Sequence, residues 1–254
     1  MSKNWAGIIT IGNELLSGDT VDKNSAWIGK QLMNLGIKVR KRSTVRDTVK
    51  DIAEVIKEFD KEYEVTIVSG GLGPTHDDKT MKGASIGLQK ELKKSKVAYN
   101  WIKNDYEKLH EKEIVNIKNM TEEREKMAYL PENSTPLRNH VGTAPGAKIN
   151  NIFVLPGVPK EMKEMFKHEV MPKLKEMNII KEITVKSYAV DVKDESEFAP
   201  YLENLEKQND VEIHSSPRGI GNGIKVVITG KQREVKEAEK NLKSSKISIK
   251  KLET

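Results

Sequence analysis

Over the first third of the chain one pattern recurs: a short apolar run, a loop rich in glycine or acid, then an amphipathic stretch. Ala6 to Ile11 is apolar and ends at Gly12, after which Ile28, Leu32 and Leu35 line one helical face that Gly36 stops. Ile37 to Val45 alternates as a strand, Asp47 stands where a helix cap belongs, and Ile52, Val55, Ile56 and Phe59 recur at helical spacing. Val65 to Val68 makes a third strand, followed by a burst of glycines and a helix opening near Lys79. Strands alternating with helices predict an α/β fold with a mainly parallel sheet covered on both faces, whose ligands lie at the carboxyl ends of the strands.

Further on, Val97 to His110 and Glu122 to Ala128 read as helices, Pro131 to Ile149 as a polar segment, and Ile152 to Leu155 as a strand leading to a helix over Lys160 to Val170. From about Asn178 the pattern changes to a βαββα order: strand Ile183 to Val190, helix Glu195 to Lys207, strands Val211 to Ser215 and Ile224 to Thr229 joined by a GIGNG hairpin turn, and helix Glu234 to Leu242. We therefore expect a larger domain over residues 1–177 and a small α+β domain over 178–254.

The absence of cysteine removes disulfides, thiolate metal sites and cysteine nucleophiles. No apolar run approaches the roughly 18 residues of a membrane span, and the N-terminal MSKNWAGIITIGNE carries no signal-peptide core, so a cytoplasmic protein without a membrane partner is expected. The net charge of +6 is mild and spread over helix faces. The C-terminal part has neither the G-x-x-G of a KH loop nor the aromatic pattern of an RRM, so nucleic acid is not an expected partner.

The most informative stretch is IVSGGLGPTHDDKT, from Ile67 to Thr80. Glycines after a strand offer backbone N–H groups to an anion, yet Asp77 and Asp78 beside them would repel it unless a cation lay between. The spacing is neither G-x-G-x-x-G nor G-x-x-x-x-G-K-[ST], which sets aside Rossmann and Walker mechanics. Four other loops join it as a candidate site: Gly12, Asn13 and Glu14 with Asp22 and Asn24 beyond; Thr44 to Asp47; Gly142 to Gly146; and Leu155 to Met162, with Gly157 and Glu161.

Taken in this order, GGLGPT-x-DD-x-T with PGVP-x-EM closely resembles the CinA family, whose N-terminal part belongs to the MoaB/MogA molybdopterin-binding superfamily; the resemblance spans roughly Ala6 to Leu174. It implies a three-layer αβα sandwich, a homo-oligomer (dimer or trimer), and a nucleotide or pterin in a glycine-lined pocket. For the CinA branch it further implies metal-dependent hydrolysis of ADP-ribose to AMP and ribose 5-phosphate. By position, Asp78 matches the aspartate after the glycine loop and Asp47 the one ending the second strand. Arg124 and Met127 depart from the Asn and Gln that many CinA sequences carry, and the family's deamidase domain has no counterpart before Thr254, so that second activity is not expected.

On this reading the nucleotide or phosphate contacts come from Gly12, Asn13, Asn24, Ser69, Gly70, Gly71, Leu72, Gly73, Pro74, Thr75, Gly142, Thr143, Gly157 and Glu161. The glycines would leave room for phosphate oxygens that a Cβ would occupy. Asp47, Asp77 and Asp78 would hold a divalent metal (Mg, Mn or Co) against a diphosphate, and Glu14 would orient water. Plainer uses stand beside these: Asp47 and one of Asp77 and Asp78 as helix caps, Asn24 capping the Ser25 helix, Glu161 complementing a helix dipole, and Arg124 with Lys126 either a phosphate pair or a solvated face. Three functions follow: an ADP-ribose pyrophosphatase, a molybdopterin-binding protein using the same loops, or a non-catalytic nucleotide sensor.

Overall fold

The computed structural model describes residues 5–219, 221–245 and 247–252; the first four residues of the N-terminal stretch, Ile220 of the GIGNG turn, and Thr254 lie outside them. The chain divides into two compact units, one formed by residues 1–33 and 37–180, the other by 34–36 and 181–254.

The first unit runs β1 (Trp5–Ile11), α1 (Asn13–Ser17), α2 (Lys23–Asn34), β2 (Lys38–Val45), α3 (Val49–Glu62), β3 (Val65–Ser69), α4 (Thr80–Gly87), β4 (Leu92–Lys94), α5 (Lys96–Glu111), α6 (Glu122–Lys126), β5 (Tyr129–Pro131), β6 (Thr135–Leu137), β7 (Gly146–Ile149), β8 (Ile152–Leu155) and α7 (Pro159–Met165). A π-helical turn (Phe166–Val170) then leads into α8 (Met171–Glu176). Six strands form one sheet in the order β2-β1-β3-β8-β7-β6. The first four are parallel; β7 is antiparallel to β8, and β6, antiparallel to β7, runs with the first four again.

Period-two alternation explains how both faces are covered. The paired row Ile9, Val68 and Val154 joins the core beneath Ile52, Val55, Ile56 and Phe59 of α3. The neighbouring row Ile8, Ile67 and Phe153 is fully buried on the opposite face. There Trp27 of α2 meets Phe166 edge-on, with centroids 5.4 Å apart. β2, at the sheet edge, carries Lys38, Arg40, Lys41 and Arg42 and is largely exposed, a pattern that discourages pairing with other chains.

Since β1 is followed by β2 on one side and β3 lies on its other side, strand order reverses between β1 and β3, and the crevice at their carboxyl ends is the expected ligand position. β7, being antiparallel, begins at that same end. Leu137 pairs with Gly146, so the β6–β7 hairpin presents its loop, Arg138 to Pro145, beside the exit of β8.

The second unit contains β9 (Thr184–Val190), α9 (Glu195–Asn209), β10 (Glu212–Pro217), β11 (Ile224–Gly230), α10 (Gln232–Lys243) and β12 (Ile249–Leu252). Its antiparallel sheet has the order β10-β11-β9-β12, which extends the expected βαββα to the split β-α-β arrangement of βαββαβ domains. β10 and β11 pair as a hairpin up to Pro217 and Ile224. On α10, Glu239 is bound by Lys186 and by Lys243 at 2.8 Å. The hydrogen bond from Lys186, followed by that from Lys243, holds its carboxyl down at about 2. Among the described residues no helix is long and apolar enough to cross a membrane.

Candidate ligand-binding site

The glycine loop is shaped from within. Gly70 and Gly71 have φ of 124° and 65°, conformations that L side chains rarely adopt. A Cβ on Gly70 would lie 2.4 Å from the Ile11 carbonyl oxygen, one on Gly71 2.3 Å from Thr80 Oγ1, and one on Gly73 2.6 Å from Asp78 Oδ2. The obstruction is thus protein, where the sequence suggested ligand phosphate. Thr80, fully buried, donates its hydroxyl to Gly70 O at 2.8 Å and its N–H to Gly71 O at 3.2 Å, folding the loop back onto the start of α4.

The aspartates have specific partners. Asp78 Oδ2 accepts from Thr75 N at 3.0 Å and Thr75 Oγ1 at 2.7 Å, closing its own turn; Lys79 occupies the N-cap position of α4. Asp47 Oδ2 accepts the N–H of Asn13 at 2.8 Å, joining the β2 exit to the start of α1, and α3 is capped by Thr48 instead. Asp77 pairs with the exposed His76 at 3.0 Å. Among the described residues no group of three or more His, Cys, Asp or Glu is placed to share a metal ion. In this arrangement the donor set expected for a divalent ion is not assembled. Glu14 is exposed, and its carboxylate stands over Gly12, 2.5 Å from where a Cβ would be.

A partly buried polar knot closes the strand ends. Asn24 Nδ2 donates to Ser69 Oγ at 3.0 Å and to Gly157 O at 2.7 Å, while Ser69 Oγ donates to Pro156 O at 3.0 Å. The cap of α2 is Asp22, which accepts from Ser25 N at 2.9 Å, so Asn24 is released for this bridge. A Cβ on Gly157 would stand 3.4 Å from Gly70 Cα, a measure of how closely the β3 and β8 exits approach. In the β6–β7 loop, Asn139, 2% exposed, accepts from Val141 N and Gly142 N at 3.1 and 2.8 Å. It donates to Glu161 Oε2 at 2.7 Å, and the Glu161 carboxylate packs against Gly142, so Glu161 holds the loop besides sitting at a helix start. Thr143 turns its hydroxyl to Tyr106, 3.5 Å away.

Beside the glycine loop opens a cavity of about 670 Å³. Gly71, Leu72, Gly73 and Asp78 line it, as do Lys79, Lys82, Lys126, Glu122 and Glu125 and an apolar group that includes Met81, Leu92, Met127 and Tyr129. Of the expected residues, Gly12, Asn13, Asn24, Asp47, Gly157 and Glu161 stand at the strand-end crevice and do not line this cavity. Lys126 donates to the carbonyl of Thr75. Arg124, its sequence neighbour, donates to Ile117 O and Asn119 O, both at 2.7 Å, and lies over the Tyr106 ring at 3.7 Å. The suggested phosphate pair is therefore split between a cavity lysine and a structural arginine.

The family model described as "Probable molybdopterin binding domain" matches residues 7–176. The chain belongs to this family. Protein PH0439 of Pyrococcus horikoshii is 45% identical over 235 residues, 91% of each chain. Protein PF0476 of Pyrococcus furiosus is 43% identical over 251 residues, 96% of this chain and 98% of its own. Among solved structures, the protein CinA with unknown function from Thermoplasma acidophilum matches with a TM-score of 0.60 at 35% identity, covering 70% of this chain and 98% of that one. The resemblance to CinA read from the motifs therefore holds, and the chain is a CinA-like molybdopterin-binding domain followed by a small α+β unit. Sequence reasoning overlooked Lys79, Lys82 and Asn139 in this domain; for Asn139 the signal was an Asn opening a glycine-containing loop, where its side chain can bond the N–H two residues on as an Asx turn.

Proposed function

We propose that the first unit binds a phosphorylated pterin of the molybdopterin class in the cavity beside Gly71 to Gly73. The observation that carries the reading is the two-sided character of the cavity: Met81, Leu92, Met127 and Tyr129 offer an apolar wall to a flat heterocycle, and Lys79, Lys82 and Lys126 offer ammonium groups to an anionic tail. Pockets for small ligands commonly combine such a wall with a few placed polar groups. The glycine loop lines the cavity and is held in shape by Thr80 and Asp78, so little ordering entropy is lost on binding. Membership of the family supports a pterin over an unrelated anion.

Cleavage of ADP-ribose is the finer reading that the same loops suggested, and it has less behind it, since it needs Asp47, Asp77 and Asp78 to share an ion and each has another partner. One experiment addresses both. Calorimetric titration with a pterin phosphate monoester and with ADP-ribose, each with Mg²⁺ and with EDTA, is expected to show pterin binding that depends little on metal. Metal-dependent ADP-ribose binding with release of AMP, and no pterin binding, would replace this proposal with the hydrolase.

A further inference from the structure

We propose that Lys126, assisted by Lys82 and Lys79, is the residue that receives the phosphate of the ligand; the assignment rests on the cavity being the binding site. Three carboxylates share the cavity wall with these lysines, and two of them are engaged. Asp78 caps the Thr75 turn, and Glu125 is paired with Lys94 at 2.7 Å. Counting Lys94, four ammonium groups stand against three carboxylates. None of Lys79, Lys82 and Lys126 has a carboxylate partner among the described residues, so their charge is not neutralised by a direct ion pair.

Lys126 stands apart within this group because of what it touches. Its ammonium donates to the carbonyl of Thr75, a neutral acceptor on the glycine loop, and an ammonium has further protons to give. A phosphate oxygen is a stronger, charged acceptor, so it can take a second proton of Lys126 without breaking the tie to the loop. Asp78, which accepts from the N–H and hydroxyl of the same Thr75, carries a negative charge that disfavours a phosphate beside it, so the anion is left to the lysines. Arg124 does not take this role, because it does not line the cavity: its Nη1 donates to two carbonyls and its guanidinium lies on the Tyr106 face. Lys126 is thus the group through which α6 both steadies the glycine loop and reads an anionic tail, and it makes the site selective for phosphorylated over unphosphorylated ligands.

The test compares the wild type with Lys126→Met, Lys126→Arg and Lys82→Met, titrating each full chain with a pterin phosphate monoester, the same pterin without phosphate, and inorganic phosphate. Intact tryptophan emission of each variant establishes that the fold is retained. Lys126→Met is expected to weaken the phosphorylated pterin and inorganic phosphate by about tenfold or more while leaving the unphosphorylated pterin unchanged. Arginine at this position should restore most of the loss, and Lys82→Met should give a smaller one. If phosphate binding is lost in Lys126→Met but no pterin binds the wild type, the lysine assignment stands and the pterin proposal falls. Phosphate affinity unchanged in Lys126→Met, an equal loss for both pterins, or no phosphate binding to the wild type each overturns the assignment.

Discussion

Replacing Gly71 with alanine should destabilise the first unit by roughly 2–5 kcal/mol, of which the backbone accounts for about 1–2 at its positive φ and a buried hydrogen bond for about 1–3. The bond is the one from Thr80 Oγ1 to Gly70 O, because the new Cβ would lie 2.3 Å from that hydroxyl and displace it. Gly18 provides the control: its φ is 84° and a Cβ there meets nothing within 4 Å, so Gly18→Ala should cost the backbone part alone. All three tryptophans, Trp5, Trp27 and Trp101, lie in the first unit, so their emission during thermal unfolding reports on that unit even if the other melts separately. At about 2–4 °C per kcal/mol for a unit of this size, Gly71→Ala should melt at least about 4 °C lower, and the gap to Gly18→Ala measures the displaced bond. In a Thr80→Ala background the extra cost of Gly71→Ala should shrink to that of Gly18→Ala. Equal losses at Gly71 and Gly18 in the wild-type background would refute the reasoning. A corollary is that lost binding in a Gly71 variant does not by itself locate the phosphate.

Three further outcomes are expected. Asn139→Ala removes the acceptor of two loop N–H groups and the donor to Glu161, and should cost about 2 kcal/mol, measured by tryptophan emission in urea. Glu239 titrates near 2 when folded, below its unfolded value of about 4.3, so its stabilisation is complete above that unfolded value and is lost as pH falls toward 2. It is on the order of 3 kcal/mol at most, and hydrogen exchange of α10 should be less pH-dependent over that window in Glu239→Gln. A chain ending at Ile180 should keep a cooperative thermal transition by circular dichroism, because Phe166, Val170 and Leu174 are retained and the CinA protein of Thermoplasma acidophilum matches over 98% of its length with 70% of this chain; a broad or absent transition would count against it.

The parallel part of the fold was legible because its signals are long and repeated. Ile52, Val55, Ile56 and Phe59 mark α3, and fully buried runs mark β1 and β3. What was missed is short or charged. β4, β5 and β6 have three residues each, two of them containing a proline, and β12 is Ile-Lys-Lys-Leu, too brief for alternation to show. The loops of the site were found from glycine and proline, but the roles of their side chains were not. Asp47 looked like a cap and the adjacent Thr48 is one; Asn24 looked like a cap and Asp22 is one. Local sequence cannot tell which of two neighbouring polar residues turns back to its own helix and which reaches a distant loop, since the Asn13 N–H and Gly157 O that decide the matter come from elsewhere in the chain.

The antiparallel course of β7 bears on how this domain can diversify. The stretch from Arg138 to Pro145 is entered and left at one end of the sheet through Leu137 and Gly146, and the Asn139 side chain, tied to Glu161, shapes it by binding the loop's own backbone groups. A replacement of different length that keeps Arg138, paired with Asp105, and Ala144, which packs in the core, and that carries its own internal turn would therefore leave strand register as it is. Grafting that hairpin tip between relatives is a route to new ligand preferences in which the scaffold need not be redesigned.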